Sequence, residues 1–492
     1  MTDYFISSST GDDARDGTAP DRAWRTLARG TETTFTPGDA LLLERGSQFI
    51  GEALHLEDVT GTSDAPVTIG SYGDDTASAP LIAADGNGRW FEDYRAPIGG
   101  APHRNRGEVS TAVLLRDCSY IHVRDLEITN RRIDDADGRR YNDLDVMDRT
   151  GVAVIAENGG TSRGIALERL HIHDVDGNVY DKHMANGGIQ VLAHFPEDPS
   201  KIETNIARFD DLRIADNVVR DTRRWGIAVG YTAYLNLIDH GGRDANGNWD
   251  NTFDYGDGTI DEDTLRRYGA TNVVVEGNTV ERAGGDAITV MYCDHPLVRH
   301  NVSREAAVDI RDDVYTATTN DRVAAAIWPW RCKNAIFEYN VATDTLNADR
   351  GNGDGQAWDA DFGDGTEYRY NYSHNNSGGC VMFCNEKAVN SLFYCNVSER
   401  DRMGAIDIPR NPDASVTGNT FIIAEDADPL RLDRADGAAV IEGNTFVYAG
   451  HTPKRTVWHP EGSHVEYIGN VYIGFAQTPQ EDGAPTNGSA GD

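Results

Sequence analysis

The sequence predicts an all-β fold, a right-handed parallel β-helix of about ten or more coils, on three observations. Apolar or small residues, then Asn, then an apolar or Thr-apolar pair recur at Asn217, Asn278, Asn301, Asn340, Asn371, Asn396, Asn419, Asn444 and Asn470. From Asn371 onward these asparagines stand 25, 23, 25 and 26 residues apart, the length of one solenoid turn. The chain also carries 51 glycines and many Asn-Gly and Asp-Gly pairs, the turn chemistry of a protein made of short strands. Asn at one repeated turn position is itself informative, because an inward amide hydrogen-bonds its copies in the coils above and below. Leucine-rich repeats share the period but need a Leu pattern that is missing.

The elements follow in order. The opening reads Tyr4-Phe5-Ile6-Ser7, Gly11-Asp12-Asp13, Asp16-Gly17-Thr18 and Ala23-Trp24-Arg25-Thr26-Leu27. It resembles the start of many β-helix carbohydrate-active proteins of the pectate-lyase-like superfamily, and the resemblance implies that residues 1–30 cap the solenoid. Together the opening and the Asn ladder define a single domain over 1–474. The gap of 61 residues from Asn217 to Asn278 holds a Gly/Asp/Asn-rich loop insertion at 231–271, and gaps of 39 and 31 follow it. Insertions in a solenoid gather on particular faces and often build binding sites. The tail, 475–492, reads as disordered.

Composition narrows the partners. The net charge is −35, from 80 acidic and 45 basic residues, and only five of the latter are lysines. Such a chain repels nucleic acid and anionic membranes, and it disfavours polyanionic sugars unless a metal bridges them. No apolar run reaches membrane-spanning length. The start, Met1-Thr2-Asp3, has no basic flank or apolar segment, which reads as cytoplasmic, or as secreted if a leader has been removed. The six cysteines show no metal-finger or disulfide-framework spacing and read as buried thiols.

The chemistry is read from a second repeated strand. Aligning Gly188-Ile189-Gln190-Val191, Gly226-Ile227-Ala228-Val229, Ala287-Ile288-Thr289-Val290, Ala326-Ile327-Trp328-Pro329-Trp330, Ala357-Trp358-Asp359-Ala360-Asp361, Cys380–Cys384 and Ala405–Arg410 puts the Ile/Val/Phe column in the core. The outward column is then Gln190, Ala228, Thr289, Trp328, Asp359, Met382 and Asp407, with Trp330, Asp361 and Cys384 beside it. Two tryptophans facing water beside two aspartates form a sugar-site pattern. Asp359 and Asp361 lie about 7 Å apart along one strand, and Asp359 and Asp407 about 9.6 Å apart across two coils. Carboxyls at such separations can work as an acid and a base on a glycosidic bond, and crowding drives their pKa values apart.

The glycine-rich run Arg350–Gln356 brings Asp354 toward the same cleft. The candidate catalytic residues are therefore Asp359 and Asp361, assisted by Asp407 or Asp354. Trp328 and Trp330 are candidates to stack on sugar rings, and Arg331, Gln356, His374, Lys387 and Arg410 to contact the rest of the substrate. The segment Tyr370–Gly379 resembles one frequent in β-helix glycosidases, and the chain is similar to lacto-N-biosidase-like and fucosidase-like acidic β-helix enzymes. The resemblance implies a glycoside hydrolase acting on an oligo- or polysaccharide, and it transfers no catalytic residue.

Two alternatives stay open. A polysaccharide lyase needs a base, Lys387 or Arg410, and cations or calcium at a uronate carboxyl. A glycan-binding β-helix would bind without turnover. No cofactor is required by the hydrolase reading, and no metal ligand is assigned. Calcium has one candidate location, Asp254, Asp257, Asp261 and Asp263, preceded by Asp244-x-Asn246-x-Asn248. Trp249 replaces the glycine that an EF-hand loop needs.

Overall fold

The computed structural model describes residues 1–132, 144, 146–250, 252–346 and 354–481. Among these residues the strands form three long sheets of 15, 13 and 12 strands, paired in parallel from coil to coil. The exception is the Arg89–Asp93 strand, antiparallel to Arg106–Arg116. Each coil visits the three sheets in turn, as Arg208–Ala215, Val218–Thr222 and Trp225–Thr232 do. The chain is therefore a parallel β-helix.

The nine asparagines form one continuous ladder at the turn from the first to the second sheet. From Asn278 onward each Oδ1 accepts the backbone N–H of the preceding ladder Asn at 2.8–3.0 Å and that residue's Nδ2 at 2.9–3.1 Å. Inside, Ile189, Ile227, Ile288, Ile327, Trp358, Val381 and Ile406 are fully buried. At the N-terminal end Asp3–Ile6 pairs with Ala40–Glu44, and Trp24 stacks on Tyr4 at 5.3 Å.

Insertions surround the third sheet. Residues 176–186, 305–326, 344–346 and 354–355 lie between the second and third sheets, and 233–269 leaves between the third and the first. The last of these carries the short helices Leu235–Ile238 and Glu262–Tyr268. It reaches along the solenoid axis: Ile260 N–H donates to Asp364 at 2.9 Å, Arg331 donates to the Gly258 carbonyl at 3.3 Å, and Lys387 donates to the Gly256 carbonyl.

The first residues of the stretch expected to be disordered, 475–481, are held by the last coil. Ala476 N–H donates to Lys454 at 2.8 Å, Trp458 Nε1 to the Gln477 carbonyl at 2.9 Å, and Tyr472 OH to Glu481 at 2.7 Å. These contacts fasten 475–481 to the last coil, and 482–492 lie outside the described residues. Among the described residues, no helix is long and apolar enough to cross a membrane.

Candidate active site

The outward column of the third sheet has the register expected from the sequence. Gln190 pairs with Ala228, Ala228 with Thr289, Thr289 with Trp328, Asp359 with Met382 and Met382 with Asp407. Beside it, Trp330 pairs with Asp361 and Asp361 with Cys384. The expectation that this column faces water is wrong. Trp328 is 7% exposed, Asp359 2% and Asp407 fully buried, because the insertions fold over the sheet.

Burial gives the carboxylates their character, since removing a carboxylate from water favours its neutral form. Asp359 is pushed well above the ordinary range by burial and then by Asp361 and Asp354. Burial raises Asp361 to about 7, with Asp354 adding to the rise and a hydrogen bond from the Cys384 thiol opposing it. Burial also raises Asp354, against the pull of Arg434, Lys182 and Arg431. Asp407 rises to about 6 by burial, offset by Arg434 and Arg431, and Arg434 Nε donates to it at 2.7 Å. One oxygen each of Asp359, Asp361 and Asp407 has no hydrogen-bond partner.

Two cavities are lined by members of this cluster. The first, of about 340 Å³, is walled by Trp225, Tyr231, Tyr255, Tyr292, Trp328 and Trp330, and Asp361 opens into it. Lys182, His103, His183 and Asp321 supply its polar wall. The second, of about 400 Å³, is polar: Asp354, Cys384, Arg410, Arg434 and Glu461 line it. Asp354 and Asp361 are the partly exposed carboxylates of the cluster, while Asp359 and Asp407 are enclosed.

The cavity wall is built by long-range contacts. Lys182 N–H donates to His103 Nδ1 at 3.0 Å, and Trp225 Nε1 donates to the Lys182 carbonyl at 2.9 Å. The Lys182 ammonium sits 5.9 Å from the Trp328 ring centre, and burial lowers its pKa. Trp328 Nε1 donates to Asp286 at 3.0 Å, and Asp286 also faces the buried Arg224. His103 Nε2 meets Asp321 at 3.0 Å, and that contact leads the fall of the Asp321 carboxyl to about 2. Lys182, His183, Trp225, Asp286 and Arg434 were not singled out from the sequence. One signal was available: Lys182 is one of only five lysines in a strongly acidic chain.

The remaining candidates are placed as follows. Trp328 and Trp330 both line the first cavity, though from beneath the insertions. Arg331 is buried in an ion pair with Asp239 at 2.7 Å and pins the 233–269 insertion. Gln356 is buried and donates to Asp407 at 3.3 Å. His374 belongs to the second sheet, bonded to the Glu399 carbonyl at 3.2 Å, away from both cavities. Lys387 is tied to Gly256, and Arg410, on the second cavity, pairs with Glu386 at 3.2 Å. The glycine-rich approach at 350–353 lies outside the described residues.

The proposed calcium ligands are engaged locally. Asp254 and Asp257 accept N–H groups two residues ahead, Asp261 caps the Glu262–Tyr268 helix, and Asp244 accepts from Asn246 and Asn248. Within the acidic cluster itself, ligand atoms of Asp359, Asp361 and Cys384 lie within 4.8 Å of one another.

No family model matches the sequence. The chain is 45% identical over 511 aligned positions to a lacto-N-biosidase of Bifidobacterium longum subsp. longum, a match covering 98% of this chain and 31% of that protein. It thus spans about a third of the length of the curated relative it matches. Two crystal structures of a GH136 lacto-N-biosidase from Eubacterium ramulus, native and selenomethionine, superpose with a TM-score of 0.82 at 41% identity. These matches cover 90% of this chain and 67% and 68% of the solved chains. With the buried aspartate cluster on its third sheet, this chain belongs to the GH136 family of glycoside hydrolases.

Proposed function

We propose that the chain is a glycoside hydrolase of lacto-N-biosidase type, with Asp354 and Asp361 as its reacting carboxylates. One observation carries the reading: of four crowded aspartates, these two are partly open to cavities, and they open into different ones. A glycosidic bond lying across the junction places sugar against the aromatic wall above Asp361 and the departing group in the polar cavity beside Asp354. Aromatic faces suit the apolar faces of sugar rings, and the polar lining suits hydroxyls.

The chemistry follows from proton sharing. Burial raises both carboxyls, Asp361 to about 7, so near that pH the pair has a proton to give. One member then protonates the departing oxygen while the ionised member serves the anomeric carbon, directly or through water. The Asp286 carboxylate adds to the proton affinity of both members, and Asp359 and Asp407 lie enclosed beside them. Lys182, facing Asp354 and Asp361, holds the remaining negative charge in check. No metal is needed for these steps. The lyase alternative loses its residues, since Lys387 is tied to a backbone carbonyl and Arg410 to Glu386.

The test uses the p-nitrophenyl glycoside of lacto-N-biose and natural oligosaccharides, following nitrophenol, new reducing ends and unsaturated-sugar absorbance, with and without chelator. Hydrolysis without unsaturation, abolished in Asp354→Asn and Asp361→Asn, supports the reading. Unsaturated product, or full activity in either variant, overturns it. Azide rescue of the alanine variants assigns the two roles.

A further inference from the structure

We propose that Glu127, His171 and His173 form a binding site for a divalent transition-metal ion, zinc foremost, on the second sheet of the solenoid. This face is separate from both cavities. Glu127 stands in the Glu127–Asn130 strand and pairs directly with His171 of the His171–Val175 strand in the next coil. His171 and His173 are two residues apart on one strand, so both project outward from the same face. Their rings lie 4.5 Å apart, and one ligand atom from each of the three side chains falls within a 4.8 Å sphere.

The local backbone is shaped for this convergence. The register between the two strands slips between Ile128 and Asn130, and Asp174, the extra residue, has φ +51°. Such a bulge re-aims neighbouring side chains. Here it swings the Asp174 carboxylate onto His173 Nδ1 at 2.8 Å, and Arg131 holds Asp174 in turn at 2.7 Å. A carboxylate on one imidazole nitrogen is the outer-sphere support that metal-binding histidines use, because it fixes the proton on that nitrogen and leaves the other free.

The other nitrogen, His173 Nε2, faces Glu127 Oε1 at 3.0 Å. A metal ion seated between this nitrogen and the Glu127 carboxylate would be ligated by both. Two imidazoles and a carboxylate suit zinc and its neighbours rather than calcium or magnesium. The cations Arg131 and Arg220 stand nearby and moderate the affinity. A bound ion would clamp two adjacent coils just before the 176–186 segment that carries Lys182.

The experiment titrates zinc and cobalt(II) into tag-free full chain by calorimetry and absorption. We expect one ion per chain, a rise in melting temperature with zinc, and cobalt bands without thiolate charge transfer. His171→Ala and His173→Ala should each lose binding by at least about tenfold, and Asp174→Asn should weaken it by about tenfold while leaving the stoichiometry at one. Metal-free melts of the three variants report whether each is folded. Absence of binding, or binding that survives the His171→Ala/His173→Ala double variant, overturns the proposal. A thiolate-to-cobalt band lost in Cys384→Ser would place the ion in the aspartate cluster and overturn it equally.

Discussion

Two stacks of side chains run along this solenoid, and they are built on opposite rules. In the Asn ladder the same residue repeats in nine coils, and each inner amide gives and receives hydrogen bonds from its copies. In the outward column of the third sheet no two neighbouring coils carry the same residue. There, Gln190 Oε1, Thr289 Oγ1, and one oxygen each of Asp359 and Asp407, with one of Asp361 beside them, lack hydrogen-bond partners. Repetition satisfies polar groups and holds coils together. Variation leaves polar groups poised for something the chain does not itself supply. Buried polar atoms without partners are costly, so the column marks where stability has yielded to chemistry.

The contrast predicts that the two stacks respond oppositely to mutation. The largest effect is expected from Asp361→Asn and Asp354→Asn. Each should reduce kcat about a thousandfold or more, while thermal melts show stability at neutral pH unchanged or raised, because a like charge has left a crowded site. A variant that lost activity and stability together would break the comparison. Asn371→Ala should do the reverse. It deprives Asn340 of its acceptor and costs about 2–4 kcal/mol in urea denaturation, with kcat per folded molecule unchanged.

The pH dependence sharpens the same contrast. Asp361 titrates from 3.8 in the unfolded chain to about 7 in the folded one, so the folded state holds the extra proton between these values. Stability contributed by that proton is present below about 4 and is lost as pH rises through about 7. Denaturation midpoints of the parent should fall across this window more steeply than those of Asp361→Asn. The kcat profile should show an alkaline limb near 7 as the shared proton leaves. A smaller effect is expected at the cavity wall. Trp330→Ala should lower kcat/KM about tenfold, measured at substrate concentrations below KM, with little change in the pH profile.

How much of this was legible in the sequence depends on periodicity. The Asn ladder and the Trp328, Asp359, Met382 and Asp407 column could be read because a β-helix places residues of equal phase above one another. Asp354 was legible as a carboxylate approaching the same strand. The second half of the site was not. Lys182, His183 and Asp321 sit on insertions whose phase is unrelated to the coils, and His103 reaches Lys182 from 79 residues earlier and Asp321 from farther still. Contacts of that range leave no local pattern. His374 and Arg331 stand apart from the cavities for a related reason: a polar residue's type does not reveal which sheet its strand joins, or whether a neighbouring loop will bury it.

The 233–269 insertion has a mechanical meaning. A bare solenoid pulled from its ends can peel one turn at a time, since each turn grips only its neighbours. This loop leaves the Trp225–Thr232 turn and is fastened to Arg331, Asp364 and Lys387, which belong to successive later turns. It works as a splint. Under load the spanned turns should yield as one block, in a single large rupture flanked by smaller regular steps from the unsplinted C-terminal turns.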